Sequence, residues 1–242
     1  MKPMKRIFVP TRSGSDWQPL LAEPIRHWKK GKSAMTAAAC WEDAETTFPP
    51  EVAAAFASSG DADLLDLELL AAIPEWTVPL MGGDRASQTD VLALARNERG
   101  LVVVAVEAKA DEDFGPLLQQ KRAGASPGQS ERLAELHRVL EVASLPDAIR
   151  YQLVHRTASA ILTAREFHAH AAVMLVHSFG KRPSLRDDFD GFGHALNAQD
   201  LSAEVKVVQS FQTPRLFLVW CHGNPKFLEV QLPSEVSQVA SR

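Results

Sequence analysis

Two apolar segments separated by a short polar turn stand out in the middle of the chain. Residues 91–95 read VLALA, residues 101–106 read LVVVAV, and Asn-Glu-Arg-Gly occupies positions 97–100 between them. Short apolar runs that flank a polar turn containing glycine are typical of paired β-strands. The pattern therefore predicts a β-hairpin, and the unbroken second run predicts a strand covered on both faces.

Charged residues lie together at one end of this predicted hairpin. Asp90 precedes the first strand, and Glu107 and Lys109 end the second. Because side chains alternate along a strand, Glu107 and Lys109 are expected to point to the same face. Carboxylates within apolar strands are costly unless they bind a partner, usually a cation. The pattern therefore indicates a site for a divalent metal that activates a water molecule.

The remaining pattern predicts how the hairpin is built into a larger fold. Periodicity predicts helices at residues 64–73 and 147–165, and strands at 76–81, 171–179, 204–211, 215–221 and 227–232. A helix between two sequential strands favours a parallel pair, so the predicted class is α/β with mixed α+β character. We expect a mixed central sheet between helical layers. Residues 1–60 are predicted to form a mainly helical extension that packs on a core of residues 61–242.

The order of these charged residues resembles the signature of the PD-(D/E)xK nuclease superfamily, which has a restriction-endonuclease-like α/β/α core. That signature is an acidic residue at the start of one strand and Glu-x-Lys on the next strand. Here Asp90 is followed, after sixteen residues, by Glu107-Ala108-Lys109, while Thr89 stands where the motif name has proline. The resemblance covers roughly residues 61–180.

The resemblance implies roles for five residues of this chain: Glu68, Asp90, Glu107, Lys109 and Gln152. Asp90 and Glu107 would bind Mg²⁺ or Mn²⁺, because hard cations prefer carboxylate oxygens. A carboxylate on the helix before the hairpin would complete the metal site; Glu68 is the first choice and Asp66 is the alternative. Lys109 would orient the attacking water or stabilise charge on the phosphate, and Gln152 would contact the site or the substrate.

Composition limits the class of protein. The chain has 242 residues, of which 45% are hydrophobic, and this is enough to bury one large core. The absence of an 18-residue apolar stretch argues against a membrane span. Cys40 and Cys221 lack the spacing of a paired motif and are interpreted as buried thiols rather than as a disulfide or metal pair. A reducing, cytoplasmic location follows as the expectation.

Charge is distributed unevenly along the chain. The formal net charge is −4, yet residues 1–33 hold eight Lys or Arg against two acidic residues, and residues 34–115 hold sixteen acidic residues against four basic ones. A basic segment beside an acidic metal site suits a phosphate substrate. The expected partner is nucleic acid, DNA rather than RNA by the resemblance, and a homodimer remains open.

Two functions from different classes are consistent with these patterns. The first is a metal-dependent nuclease that hydrolyses phosphodiester bonds. The second is a non-catalytic binding or regulatory protein that retains the nuclease-like fold. Retention of Glu68, Asp90, Glu107 and Lys109 together favours the enzyme.

Overall fold

The computed structural model describes Thr11 and residues 13–82 and 86–234. The α-helices are α1 (Pro24–His27), α2 (Ser33–Ala44), α3 (Pro50–Ser58), α4 (Leu118–Arg122), α5 (Pro127–Val139), α6 (Tyr151–Glu166) and α7 (Pro183–Ala195). The strands are β1 (Glu68–Val78), β2 (Ser87–Asn97), β3 (Gly100–Lys109), β4 (Ala171–Ser178), β5 (Ala198–Asp200), β6 (Val205–Val208) and β7 (Arg215–His222). Two 3₁₀ helices span Gly14–Leu20 and Pro225–Glu229.

All seven strands form one mixed sheet. Their order is β1-β2-β3-β4-β7-β6-β5. The β1–β2 and β2–β3 pairs are antiparallel, and β3, β4 and β7 run parallel to one another. The pairs β7–β6 and β6–β5 are again antiparallel. The mixed α+β class, the 91–106 hairpin and the parallel pair that follows it were all predicted correctly.

Helices cover both faces of the sheet because the central strands are apolar on both. Every residue of β4 is buried, as are all but the first two residues of β3. On one face, α2 and α3 pack with Trp17 against residues such as Val104 and Val173. On the other face, α5, α6 and α7 pack against residues such as Val103 and Met174. Burial of apolar surface in these two layers is the main stabilising contribution to the fold.

The sequence prediction was wrong at two segments. Residues 64–73 were expected to form a helix that Pro74 ends, but β1 runs from Glu68 through Pro74 to Val78. Pro74 is compatible with this strand because β1 is at the edge of the sheet, where a missing N–H leaves no ladder bond unmade. Residues 227–232 were expected to form a strand, but the chain there turns through the 3₁₀ helix Pro225–Glu229.

Among the described residues, no helix is both long enough and apolar enough to cross a bilayer.

Candidate active site

A cleft opens where β2 separates from β3. Backbone pairing between the two strands ends at Val91 and Val106, whereas β2 continues to pair with β1 as far as Ser87. The side chain of Asp90 lies at this point and replaces the lost backbone acceptor: its Oδ2 accepts the N–H of Ala108 at 2.7 Å. The separation of the strands thus leaves room for side chains from both strands in one cleft.

Glu107 is the centre of the polar contacts in the cleft. Its Oε1 accepts hydrogen bonds from Lys109 Nζ at 2.7 Å and from Gln152 Nε2 at 2.6 Å, and its Oε2 accepts one from Arg156 Nε at 2.5 Å. Lys109 Nζ also donates to Gln152 Oε1 at 2.9 Å. The predicted residues Glu107, Lys109 and Gln152 are therefore in direct contact, and Arg156, one helical turn after Gln152, joins them.

Burial and charge act in opposite directions on the two predicted metal ligands. Burial and the nearby Glu107 carboxylate raise the pKa of Asp90 to about 7. Burial alone would also raise the pKa of Glu107, but the charges of Arg156 and Lys109 lower it to about 2. At neutral pH Glu107 is therefore ionised, while Asp90 is close to its midpoint of titration.

A third carboxylate, Glu75, lies in the cleft and was missed by sequence reasoning. Pro74 and Trp76 pair with Val91 and Thr89, so Glu75 is opposite Asp90 on the neighbouring strand. Burial and the charge of Asp90 raise the pKa of Glu75 well above its ordinary value. Glu75 shares the face of Asp90 because the two are opposite each other in an antiparallel pair, and this register could be used only once residues 68–78 were known to form a strand.

The assignment of Glu68 to this site was wrong, and Asp66 does not replace it. Glu68 begins β1, seven residues before Glu75, which at about 3.3 Å per residue places it roughly 20 Å along the strand. There its carboxylate pairs with Arg96 at 3.3 Å. Asp66 lies beside Glu68 in a separate surface cavity at the turn end of the hairpin.

Buried polar groups behind the cleft hold Arg156 in place. Its Nη1 donates to Ser87 Oγ at 2.9 Å, and Ser87 Oγ also lies 2.9 Å from His155 Nδ1. Ser87 and Arg156 are both buried. Burial and the adjacent Arg156 lower the pKa of His155 well below its ordinary value, so the imidazole is neutral at physiological pH.

Basic residues in and just after α1 form another wall of the same cleft (the basic wall). The cavity has a volume of about 550 Å³, and its lining includes Arg26, His27, Lys29 and Lys32 beside Asp90 and Glu107. Glu112 connects this wall to the sheet, because its carboxylate accepts the N–H groups of Ser33 at 3.1 Å and Ala110 at 3.0 Å. Lys30, in contrast, pairs with Glu229 at 2.8 Å and does not line the cavity.

The donor set of the cleft fits a hard divalent cation. A carboxylate offers about four lone pairs, and three donors contact Glu107, which leaves one free. Among the described residues, Asp90 Oδ1 has no hydrogen-bond partner. Glu75, Asp90 and Glu107 face the cationic Lys109 and Arg156, and the raised pKa values of Glu75 and Asp90 mean that protons offset part of the carboxylate charge. A bound cation would replace such a proton. Oxygen donors and partial hydration by water suit Mg²⁺ or Mn²⁺ better than a softer ion.

Comparisons with known proteins assign the chain to a family. Residues 10–225 match the family described as Domain of unknown function (DUF6946), and the chain belongs to it. No curated protein matches the chain. No solved structure matches it either.

Proposed function

We propose that this protein is a metal-dependent nuclease whose active site is the cleft between β2 and β3. The observation that carries the proposal is the convergence in one cleft of Asp90, Glu107 and Lys109, from β2 and β3, with Gln152 from α6. Perturbed carboxylates beside a lysine in a cleft are characteristic of functional sites. The resemblance to the PD-(D/E)xK superfamily supplies the reaction, hydrolysis of a phosphodiester bond.

Asp90 and Glu107 would hold Mg²⁺ or Mn²⁺. The half-buried Glu75 would take the place that the resemblance gave to Glu68 by contact through water, because the ligand atoms of Glu75, Asp90 and Glu107 do not all lie within 4.8 Å of one another. When bound, the ion would polarise the scissile phosphate and lower the pKa of a coordinated water. Lys109 is held by Glu107 and Gln152, and its ammonium is placed to stabilise charge that develops on the phosphate. Gln152 keeps Lys109 and Glu107 in fixed relative positions, which lowers the reorganisation needed during the reaction.

The basic wall supports nucleic acid as the substrate. Lys29 and Lys32 line the same cavity as the carboxylates. The lysines attract phosphate, whereas the carboxylates repel it. Lys and Arg side chains that contact successive phosphates provide most of the sequence-independent affinity for nucleic acid. DNA remains our first choice over RNA, on the resemblance alone.

One observation favours the alternative, a non-catalytic protein that binds nucleic acid. Arg156 and Lys109 already neutralise Glu107, and both pairs are buried, so this carboxylate is satisfied without a metal ion. A divalent ion must therefore compete with two cationic side chains for Glu107. The two functions differ in whether the cleft binds a divalent ion at all.

The test combines metal titration with a cleavage assay. Wild type should bind Mg²⁺ or Mn²⁺ in calorimetry and cleave DNA in a reaction that EDTA stops. Asp90→Asn keeps the side chain's shape and should reduce cleavage at least about 100-fold, because it removes a charged metal ligand. Wild type that binds no divalent ion at millimolar concentration, even with DNA present, would favour the binding protein instead.

A further inference from the structure

A second group of polar side chains lies on the opposite face of the sheet. In register, Ala108 of β3 pairs with His177 of β4, and His177 pairs with Cys221 of β7. These residues point toward α2 and α3, whereas Glu107 points toward α6. The carboxylate cleft and the surroundings of His177 are therefore separated by the thickness of the sheet.

Three metal-binding atoms converge on this face from three different elements. Cys40 comes from α2, Glu51 from the first turn of α3 and His177 from β4. Cys40 Sγ lies 3.6 Å from Glu51 Oε1, and His177 Nε2 lies 3.3 Å from the same oxygen. The ligand atoms of all three residues lie within 4.8 Å of one another, and no other group of three or more His, Cys, Asp or Glu among the described residues meets this criterion.

The two distances to Glu51 Oε1 match the edges of a zinc coordination tetrahedron. With a zinc–sulfur bond of about 2.3 Å and zinc–nitrogen and zinc–oxygen bonds of about 2.0–2.1 Å, neighbouring ligand atoms lie about 3.3–3.6 Å apart. The observed sulfur–oxygen and nitrogen–oxygen distances fall at the two ends of that interval. A thiol, an imidazole and a carboxylate are also the three ligand types that zinc uses in proteins.

Several polar contacts converge on one oxygen of Glu51. Besides its contacts with Cys40 and His177, Glu51 Oε1 accepts the N–H of Asn224 at 3.1 Å. Among the described residues no Lys or Arg pairs with Glu51, since the nearby Lys226 pairs with Asp43 at 3.3 Å.

We propose that Cys40, Glu51 and His177 form a Zn²⁺ site that fixes α2 and α3 to the central sheet. Cys40 and His177 are almost completely buried, which limits the access of solvent to two of the three ligands. Three protein ligands leave one position of a tetrahedral site, which water from the adjoining cavity of about 310 Å³, lined by Cys40, Glu51 and Asn224, would fill. This site is independent of the proposed nuclease activity.

The experiment uses the full-length protein, expressed with zinc and purified under reducing conditions. Elemental analysis should find about one zinc ion per chain, and Co²⁺ substitution should give the thiolate-to-cobalt charge-transfer band of a tetrahedral site. Cys40→Ser should remove this band and most of the zinc. Asp90→Asn, on the other face, is the matched control and should keep both. Removal of zinc by a chelator should lower the melting temperature of wild type but not of Cys40→Ser.

Each other outcome overturns the proposal. Wild type that contains no zinc and gives no thiolate band with Co²⁺ would make the three residues a hydrogen-bonded polar group of the core. Loss of zinc from Asp90→Asn, with retention in Cys40→Ser, would place the ion in the carboxylate cleft. The cobalt spectrum of wild type needs no variant, so the proposal remains testable even if Cys40→Ser does not fold.

Discussion

A Glu–Arg ion pair lies at each end of the β1–β2–β3 meander, with Arg96 of β2 at one end and Arg156 of α6 at the other, and the two pairs differ in burial. At the turn end, Glu68 and Arg96 form an ion pair with side chains 49% and 62% exposed. At the open end, Glu107 and Arg156 form an ion pair with side chains 3% and 10% exposed. Water screens the first pair, so it contributes little to stability, whereas the second has lost its hydration and depends on its partners. Burial, and not residue type, therefore distinguishes the candidate site from a surface ion pair.

The largest expected effect is on stability at the buried end. Glu107→Ala removes the counter-charge of both Lys109 and Arg156 and leaves two buried cations, so we expect the free energy of unfolding to fall by about 3–5 kcal/mol. Urea denaturation without metal measures this change. The control is Glu68→Ala at the exposed end. Equal decreases in the free energy of unfolding for the two variants would show that burial does not distinguish the two ion pairs.

A smaller effect concerns the pH dependence of stability. The pKa of Asp90 is raised from 3.8 to about 7 in the folded protein, so between these values the folded state holds a proton that the unfolded state has released. The contribution of Asp90 to stability therefore falls as pH rises from about 4 to 7. Asp90→Asn abolishes this fall, and its stability relative to wild type should increase by about 1–2 kcal/mol over that interval, discounted because Asp90 borders the open cleft.

Thermal melts of both proteins at several pH values between 5 and 8 provide the measurement. A melting-temperature difference that does not change with pH would place the folded pKa of Asp90 near its ordinary value. Added Mg²⁺ should stabilise wild type more than Asp90→Asn, since the ion favours the charged carboxylate.

The basic wall permits a comparison within one short segment. Lys29 and Lys32 line the cleft, while Lys30 pairs with Glu229 outside it. The double variant Lys29→Ala/Lys32→Ala should weaken DNA binding several-fold and reduce the slope of log K against log salt by about 0.9 for each lost phosphate contact. Lys30→Ala should leave the slope close to that of wild type. Fluorescence anisotropy at several salt concentrations measures the affinity and the slope. Identical slopes for wild type and the two variants would show that Lys29 and Lys32 do not contact DNA phosphates.

The smallest effect is expected at the exposed end of β1. Glu68→Gln should change the free energy of unfolding by less than about 0.5 kcal/mol and should leave cleavage unchanged. Glu75→Gln is the matched substitution at the other end of the same strand and should reduce cleavage. If Glu68→Gln lost cleavage activity and Glu75→Gln kept it, the assignment of Glu75 to the active site in place of Glu68 would be incorrect.

Features set by residues close together in the sequence could be predicted, whereas features that depend on contacts between distant segments could not. The β2–β3 hairpin and α6 were predicted because their apolar patterns are local. The resemblance placed Asp90, Glu107, Lys109 and Gln152 on these elements, and in the structure they line one cleft. Residues 64–73 were misread because a mixed apolar run fits a helix or a strand, and pairing with the distant β2 decided the outcome. Glu75 was missed for the same reason, since its role depends on the register between two strands.

Local sequence patterns could not predict the contacts of Arg156 or the cluster of Cys40, Glu51 and His177, because these contacts depend on how distant elements pack. Gln152 and Arg156 share a helix face, but the sequence does not show that this face meets Glu107. Cys40, Glu51 and His177 are separated by 11 and 126 residues and have no recognisable spacing. Burial of Cys40 and Cys221 was predicted correctly. Only the packing of α2 and α3 on β4 brings a thiol, a carboxylate and an imidazole together.

The hydrogen bond from Ala108 to Asp90 gives the cleft a built-in spectroscopic reporter. At this point a side-chain oxygen takes the place of a backbone carbonyl in the sheet, so the Ala108 amide senses the charge on one carboxylate. Protonation of Asp90, or coordination of a cation by it, would weaken this acceptor and shift the Ala108 amide proton in an NMR spectrum. A single backbone resonance would thus record occupancy of the cleft without any label on the ligand.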